Sequence, residues 1–317
     1  MLYQLTGSEK RLDSSLSVKV GFAEKNKFTE SLCTLTDGCY AAETVELRNS
    51  SAFRTIVTRG LKSTLKFTEW KTMADISGKK ILLTGASSGI GRACALQLIA
   101  AGAHLVAVGR NEEMLRDIGL AKEQIYVIDL LDEVAIKTLI PRLKADVGPL
   151  DGCVLAAGMH TFRPLMMESF NDIYRPWAIN VQSCLGFLAL LIKGRLLAKG
   201  GGLVLFSSSA AHIASAGAVS YAASKGAIES ATRALAIELA AQKIRVNAIA
   251  PGVVHTPMSD ALLSKLTVAQ RAALEARHPM GFGVPDDVAS AVLFLLSTDA
   301  RWVTGVVLPV DGGYTIT

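Results

Sequence analysis

Charge, aromatics and clustered cysteine are all scarce in this chain of 317 residues, and each scarcity removes a class of function. Only 19% of residues are charged and 6% aromatic, and the balance is a mild +5 with an isoelectric point near 8.9. No dense Lys/Arg cluster stands out, so no nucleic-acid surface is implied. The five cysteines (Cys33, Cys39, Cys94, Cys153, Cys184) have no C-x-x-C spacing and no histidine cluster beside them, which leaves no candidate metal site. Cys94, Cys153 and Cys184 fall in apolar segments and read as small core residues of a protein in a reducing compartment. No apolar run reaches the length of a membrane span. The longest, Val181 to Ile192, is broken by Gln182 and ended by Lys193. The N-terminus lacks the apolar core of a secretory signal, and its acidic residues argue against a transit peptide, so a cytoplasmic protein is expected.

What is abundant is apolar sequence. Half the chain is hydrophobic and the mean hydropathy is +0.35. That excludes disorder and suits a parallel sheet buried on both faces, whose strands read as continuous apolar runs. The texture changes near Met73. Residues 1–72 are rich in Ser and Thr, contain no proline and show no sustained periodicity. They read as an N-terminal extension of unknown role or as the product of a mis-assigned start. Residues 73–317 form the catalytic domain of this reading. There, apolar runs at Lys80–Thr84, His104–Val108, Gln124–Asp129, Gly152–Ala156, Leu203–Ser207, Arg245–Ala250 and Val306–Val310 predict strands. Helices are predicted between them, at Gly89–Ala101, Glu112–Leu120, Asp132–Ala145, Ser169–Leu197, Val219–Gln242 and Pro285–Ser297. Alternation of this kind predicts an α/β fold, a doubly wound parallel sheet of Rossmann type in a single domain, with ligands beyond the carboxyl ends of the strands.

The first strand runs into Thr84-Gly85-Ala86-Ser87-Ser88-Gly89-Ile90-Gly91, followed at once by a helix. Gly85 permits a tight turn, Gly89 lets backbone approach a pyrophosphate, and Gly91 lets helix and strand pack closely, while the helix N-terminus offers free N–H groups to an anion. The second strand ends in Val108-Gly109-Arg110. A carboxylate here would hold a ribose 2′-hydroxyl, whereas the fork of an arginine suits a 2′-phosphate. NADP(H) is therefore expected in preference to NAD(H). Asp129, closing the third strand, is placed to accept from an adenine amino group.

Tyr221-Ala222-Ala223-Ser224-Lys225 sets a phenol and an ammonium one helical turn apart. A neighbouring ammonium stabilises the phenolate and lowers a tyrosine pKa toward useful acid-base chemistry. Upstream, just past the fifth strand, Phe206-Ser207-Ser208-Ser209 offers a hydroxyl for a substrate oxygen, Ser208 first and Ser209 in reserve. Asn180 is an amide in an otherwise apolar helix, a residue that caps backbone or anchors a water leading to Lys225. A loop histidine such as His160 reads as solvated or as a substrate contact.

Taken together, these motifs resemble the short-chain dehydrogenase/reductase family, in its branch with T-G-x-x-x-G-I-G and Y-x-x-x-K, and lean toward 3-oxoacyl-(acyl-carrier-protein) reductase-like members. The resemblance runs from Ser77 to the C-terminus. It takes in Ala156-Ala157-Gly158 after the fourth strand, Arg245-Val246-Asn247-Ala248-Ile249-Ala250-Pro251-Gly252, Thr256, and the terminal Asp311-Gly312-Gly313-Tyr314. It implies that Tyr221 protonates the carbonyl, Lys225 lowers its pKa and holds ribose hydroxyls, Ser208 polarises substrate and Asn180 supports a proton relay. It implies cofactor contacts from Gly85, Ser87, Ser88, Gly89, Ile90 and Gly91, from Arg110, Asp129 and Leu130, from Ala156 and Gly158, and from Val254 and Thr256 at the nicotinamide end. A mobile lid is expected over Ser259 to His278. One departure is plain: where the family has N-N-A-G, this chain has Leu155-Ala156-Ala157-Gly158, so altered cofactor affinity or stability is expected.

Three functional readings stay open at this point. They are a carbonyl reductase or alcohol dehydrogenase taking a small molecule or a carrier-bound acyl chain, a sugar or polyketide-type ketoreductase, and a scaffold that senses NADP(H) without turnover. Arg163 and Arg175 are the basic residues nearest the site mouth. Small residues on the helices over 169–197 and 219–242 favour close helix approach, and the resemblance implies a homotetramer or homodimer, with the Gly312-Gly313 tail at a second interface.

Overall fold

The structure, a computed structural model, describes residues 75–317 in full and, among the first 74, the backbone of six strands. The chain divides into two units, Met1–Lys71 and Thr72–Thr317.

In the first unit, β1 (Lys10–Leu12), β2 (Ser15–Glu24) and β3 (Lys27–Thr36) form one antiparallel sheet. β4 (Val45–Ser50), β5 (Phe53–Thr58) and β6 (Leu65–Lys66) form another. No strand was expected here, yet Leu16, Val18, Val20 and Phe22 alternate at the two-residue period of a pleat. The Ser- and Thr-rich sequence around this stretch masks the pattern. The rest of the segment, Cys39 included, lies outside the described residues.

The second unit is built on seven parallel strands in the order β13-β12-β11-β10-β7-β8-β9. They are β7 (Lys80–Thr84), β8 (His104–Gly109), β9 (Ile125–Val127), β10 (Leu150–Leu155), β11 (Leu197–Phe206), β12 (Arg245–Pro251) and β13 (Val307–Val310). The apolar runs bury both faces, as a parallel sheet requires. Leu82, Val106 and Val108 face a layer made by α3 (Glu133–Asp146), α5 (Ser183–Lys193) and α6 (Val219–Glu238). Ile81, Leu83, Leu105 and Ala107 face the opposite layer of α1 (Gly89–Ala100), α2 (Glu112–Arg116) and α9 (Pro285–Leu296). The predicted Rossmann-type α/β architecture is what the structure shows. Crossovers leave β7 and β10 in opposite directions along the sheet, so the cleft opens at their carboxyl ends.

Two boundaries differ from expectation. The long helix expected over Ser169–Leu197 is interrupted: α4 (Phe170–Trp177) passes through a π-helical turn at Ala178–Gln182 into α5, which ends at Lys193. Pro176 has no N–H to donate, and the widened turn follows it. β11 begins at Leu197, earlier than Leu203, because a register shift between Leu197 and Gly202 lets Leu197 pair with Leu150. By length and hydropathy Phe170–Lys193 could cross a membrane. Half of that stretch is buried inside the protein, however, with Phe187, Leu188 and Leu191 in the core. Cys94, Cys153 and Cys184 are buried free thiols, as expected of small core residues.

Phe187 is fully buried between α5 and the sheet. Phe187→Ala is expected to lower the unfolding free energy in urea by about 3–5 kcal/mol. Val134→Ala, on an exposed helix face, should stay within about 0.5 kcal/mol of wild type.

Candidate active site

The turn between β7 and α1 is set by glycine. Gly85 adopts φ +76°, and a Cβ there would lie 2.8 Å from the Ala157 amide nitrogen. A Cβ on Gly91 would lie 2.1 Å from the Gly85 carbonyl oxygen, a collision no rotamer relieves. These approaches press the first turn of α1 onto the glycine turn, and that turn onto the loop after β10. Ser88, the N-cap of α1, makes no side-chain cap, and the first helical turn carries no acid. The N–H groups and positive end of the helix therefore face the cleft without an internal anion, which is the requirement of a phosphate cradle.

The loop after β10 is held without the family's asparagines. The Ala157 N–H donates to Thr84 Oγ1 at 3.2 Å. Asn180, inside the π-helical turn, grips Met159 by both edges: Oδ1 accepts from the Met159 N–H at 2.8 Å, and Nδ2 donates to the Met159 carbonyl at 3.0 Å. Nδ2 also donates to Ser224 Oγ at 3.0 Å, whose hydroxyl donates to the Tyr221 carbonyl at 2.7 Å. Asn180 is buried behind the cleft wall and does not line it. Its polar atoms bond the Met159 backbone and the Ser224 hydroxyl.

Tyr221 and Lys225 share a face of α6, both nearly buried. The Lys225 ammonium donates to the Phe206 carbonyl at the end of β11, at 2.9 Å, and sits 5.8 Å from the Tyr221 ring centre. Burial pushes the Tyr221 pKa up, and its hydrogen bond with the Ser208 side chain pulls the other way. Burial lowers Lys225 to about 8. Of the influences on the phenol, desolvation is the largest, and the Lys225 ammonium is directed at the Phe206 carbonyl. Ser208 is the N-cap of a short 3-10 turn and accepts from Ala210 N at 3.2 Å. Ser209 is buried beside it.

One cleft of about 760 Å³ collects these groups. Gly85, Ser87, Ser88, Gly89, Ile90 and Gly91 line it, with Arg110, Asp129, Leu130, Ala156, Gly158, Ser208, Tyr221, Lys225, Val254 and Thr256. Asp129 lies two residues past β9 rather than closing it, because β9 ends at Val127; its Oδ1 accepts from Leu131 N at 3.0 Å. Among the described residues Arg110 has no ion pair. The span expected as a lid is two helices, α7 (Pro257–Leu263) and α8 (Val268–Ala276). α7 begins at a capping box of Thr256 and Ser259 with Pro257 in its first turn, a start signal legible in the sequence.

Arg277 and Tyr314 also line the cleft, where the sequence reading gave them no site role, and His278 packs beside them. Tyr314 is buried, stacked on His278 at 4.0 Å, with Arg277 4.9 Å above its ring. His278 accepts from Val253 N through Nε2 and donates to the Leu274 carbonyl through Nδ1. Their signal, two aromatic rings about 36 residues apart in sequence, is visible only once the fold joins them. His160 is packed against Tyr221 rather than solvated, with ring centres 4.4 Å apart.

A family model described as Enoyl-(Acyl carrier protein) reductase matches residues 85–315. The chain is 35% identical over 242 residues to a 3-oxoacyl-(acyl-carrier-protein) reductase FabG of Rickettsia prowazekii, covering 76% of this chain and 98% of that protein. It is 35% identical over 249 residues to the L-xylulose reductase of Mus musculus, with coverage of 76% and 98%. The structure of a short-chain type dehydrogenase/reductase from Mycobacterium ulcerans superimposes with a TM-score of 0.69 at 29% identity, covering 76% of this chain and 91% of that one. The chain belongs to the short-chain dehydrogenase/reductase family and is an oxidoreductase.

Buried Lys225 makes a signed pH prediction. Its pKa is depressed in the fold to about 8 from 10.5, so between those values the unfolded chain binds more protons and stability rises with pH. The unfolding free energy of wild type relative to Lys225→Met is expected to rise between pH 8 and 10.5, by up to roughly 3 kcal/mol. Paired urea titrations across that range check it; a flat difference would show that Lys225 titrates normally.

Proposed function

We propose that this short-chain dehydrogenase/reductase is an NADP(H)-dependent carbonyl reductase in which Tyr221 is the proton donor. The observation that carries the reading is a single cleft with an anion cradle at one end and Ser208, Tyr221 and Lys225 together at the other. The cradle fits a dinucleotide: the uncapped start of α1 suits its pyrophosphate, and the unpaired Arg110 guanidinium suits a 2′-phosphate.

A reduced nicotinamide bound there supplies the hydride. The chain's own residues handle the proton. A phenol whose pKa is raised by burial keeps its proton at neutral pH and is poised as the acid of a reduction. The Ser208 hydroxyl, already partnered with that phenol, steadies the carbonyl oxygen as charge builds on it. Lys225, titrating at about 8, is largely cationic at pH 7 and favours the phenolate left behind. Asn180 acts one layer back by keeping Met159 and the backbone of α6 in register.

The substrate reading leans toward a 3-oxoacyl compound, carrier-bound or free, with a sugar or polyketide-type ketone as the alternative. The names of the Rickettsia and mouse relatives support both. Met166 and Phe170, each 93% exposed, lie with Leu165 and Trp177 along the approach to and length of α4. An apolar surface of this kind supports assembly into a homodimer or homotetramer. Burial lifts the thiols of Cys94 and Cys184 to about 12, which fits reduced cysteines in the cytoplasm.

Fluorescence titration with NADPH and NADH tests the cofactor assignment. Wild type is expected to bind NADPH more tightly. Arg110→Ala should weaken NADPH by about 10- to 100-fold while leaving NADH unchanged, since charge-assisted hydrogen bonds are lost only with the 2′-phosphate. Equal binding of the two cofactors by wild type would contradict the assignment of Arg110.

A further inference from the structure

His160 follows Met159, which Asn180 clamps, and lines the cleft beside Tyr221. Its ring is tilted 59° to the phenol at a centroid distance of 4.4 Å, and the Phe162 ring runs nearly parallel to it at 6.4 Å. The polar atoms of its neighbours are engaged: Lys225 donates to Phe206, and Ser208 serves Ala210 and Tyr221. No protein group described in the structure bonds to either nitrogen of His160. Both nitrogens of this half-buried imidazole stay open to the cleft rather than sealed inside the protein, so an oxygen of a bound molecule can pair with them.

We propose that His160 is a specificity-determining residue that hydrogen-bonds a second oxygen carried one or two carbons from the carbonyl reduced at Tyr221. The substrate class is then an oxygenated ketone, whose second oxygen is either a hydroxyl or the carbonyl of a 3-oxoacyl group, and not a plain ketone. This rests on the carbonyl-reductase reading and narrows it. A neutral imidazole carries one donor and one acceptor, which suits either oxygen. Burial, aided by the charge of Lys225, holds the His160 pKa below its usual value, so the ring is neutral at pH 7. An aromatic packing role alone would be served as well by phenylalanine, and that separates the two explanations.

The test measures kcat and KM with NADPH for 1-hydroxy-2-butanone, S-acetoacetyl-N-acetylcysteamine and 2-pentanone. Full-length wild type, His160→Phe and His160→Gln are compared, with NADPH binding as the check on folding. Wild type is expected to prefer an oxygenated ketone, and which of the two it prefers identifies the second oxygen. His160→Phe should lower kcat/KM for that substrate by about 10- to 100-fold and leave 2-pentanone within about twofold. His160→Gln, which keeps a donor and an acceptor, should recover part of the loss. An equal fall on all three substrates in His160→Phe would mean that the ring only packs against Tyr221, and no change on any would mean that it does nothing; either overturns the proposal while leaving the reductase intact. NADPH oxidation by wild type with none of the three would overturn the reductase reading and this inference with it.

Discussion

The buried ammonium of Lys225 on the carbonyl of Phe206 is the contact on which the rest of the site depends. It joins the start of α6 to the end of β11, and so fixes where the phenol one turn earlier can stand. Removing a charge from water costs several kcal/mol, so the arrangement persists only because the surrounding backbone is over-determined. Asn180 ties Met159 to Ser224, Ser224 ties into the backbone at Tyr221, and Thr84 ties Ala157 to the glycine turn. A Cβ on Gly158 would press to 3.1 Å from Asn180 Oδ1, so the absent side chain there is part of the same fit.

One cause therefore sets both titrating groups. Desolvation raises the phenol above its usual 10.0 and lowers the ammonium from 10.5 to about 8, so the two pKa values cross and move apart. A phenol so placed keeps its proton at neutral pH, as the proposed acid of a reduction must. At the other end of the cleft the electrostatics are simpler. An uncapped helix start and an unpaired arginine present positive potential to an anion, with Asp129 the one acid lining the cleft among the described residues.

Much of this was legible in the residues. The glycine turn was readable because a tight turn, a close approach and a helix start each constrain residue type locally. The same holds for Y-x-x-x-K, whose spacing is one helical turn. The alternation of apolar strands and amphipathic helices located all seven parallel strands to within a few residues, save for the early start of β11, which a glycine bulge conceals. What escaped notice depends on contacts distant in sequence. The clamp from Asn180 to Met159, the packing of His160 on Tyr221 and the stacking of Tyr314 on His278 exist only after the sheet brings separate loops together. The strand pattern over Leu16 to Phe22 was a different failure, since its period of two was present and was obscured by the serines and threonines around it.

The central claim is that Tyr221 delivers the proton, and Tyr221→Phe tests it most directly because it removes one oxygen and keeps the ring. The measurement is NADPH binding and single-turnover ketone reduction on the same preparation. Binding within about twofold of wild type, with the rate of NADPH oxidation reduced by about 10²- to 10⁴-fold, is the result this account predicts. Reduction at near wild-type rate with cofactor still bound would contradict it and move the proton donor to another group in the cleft.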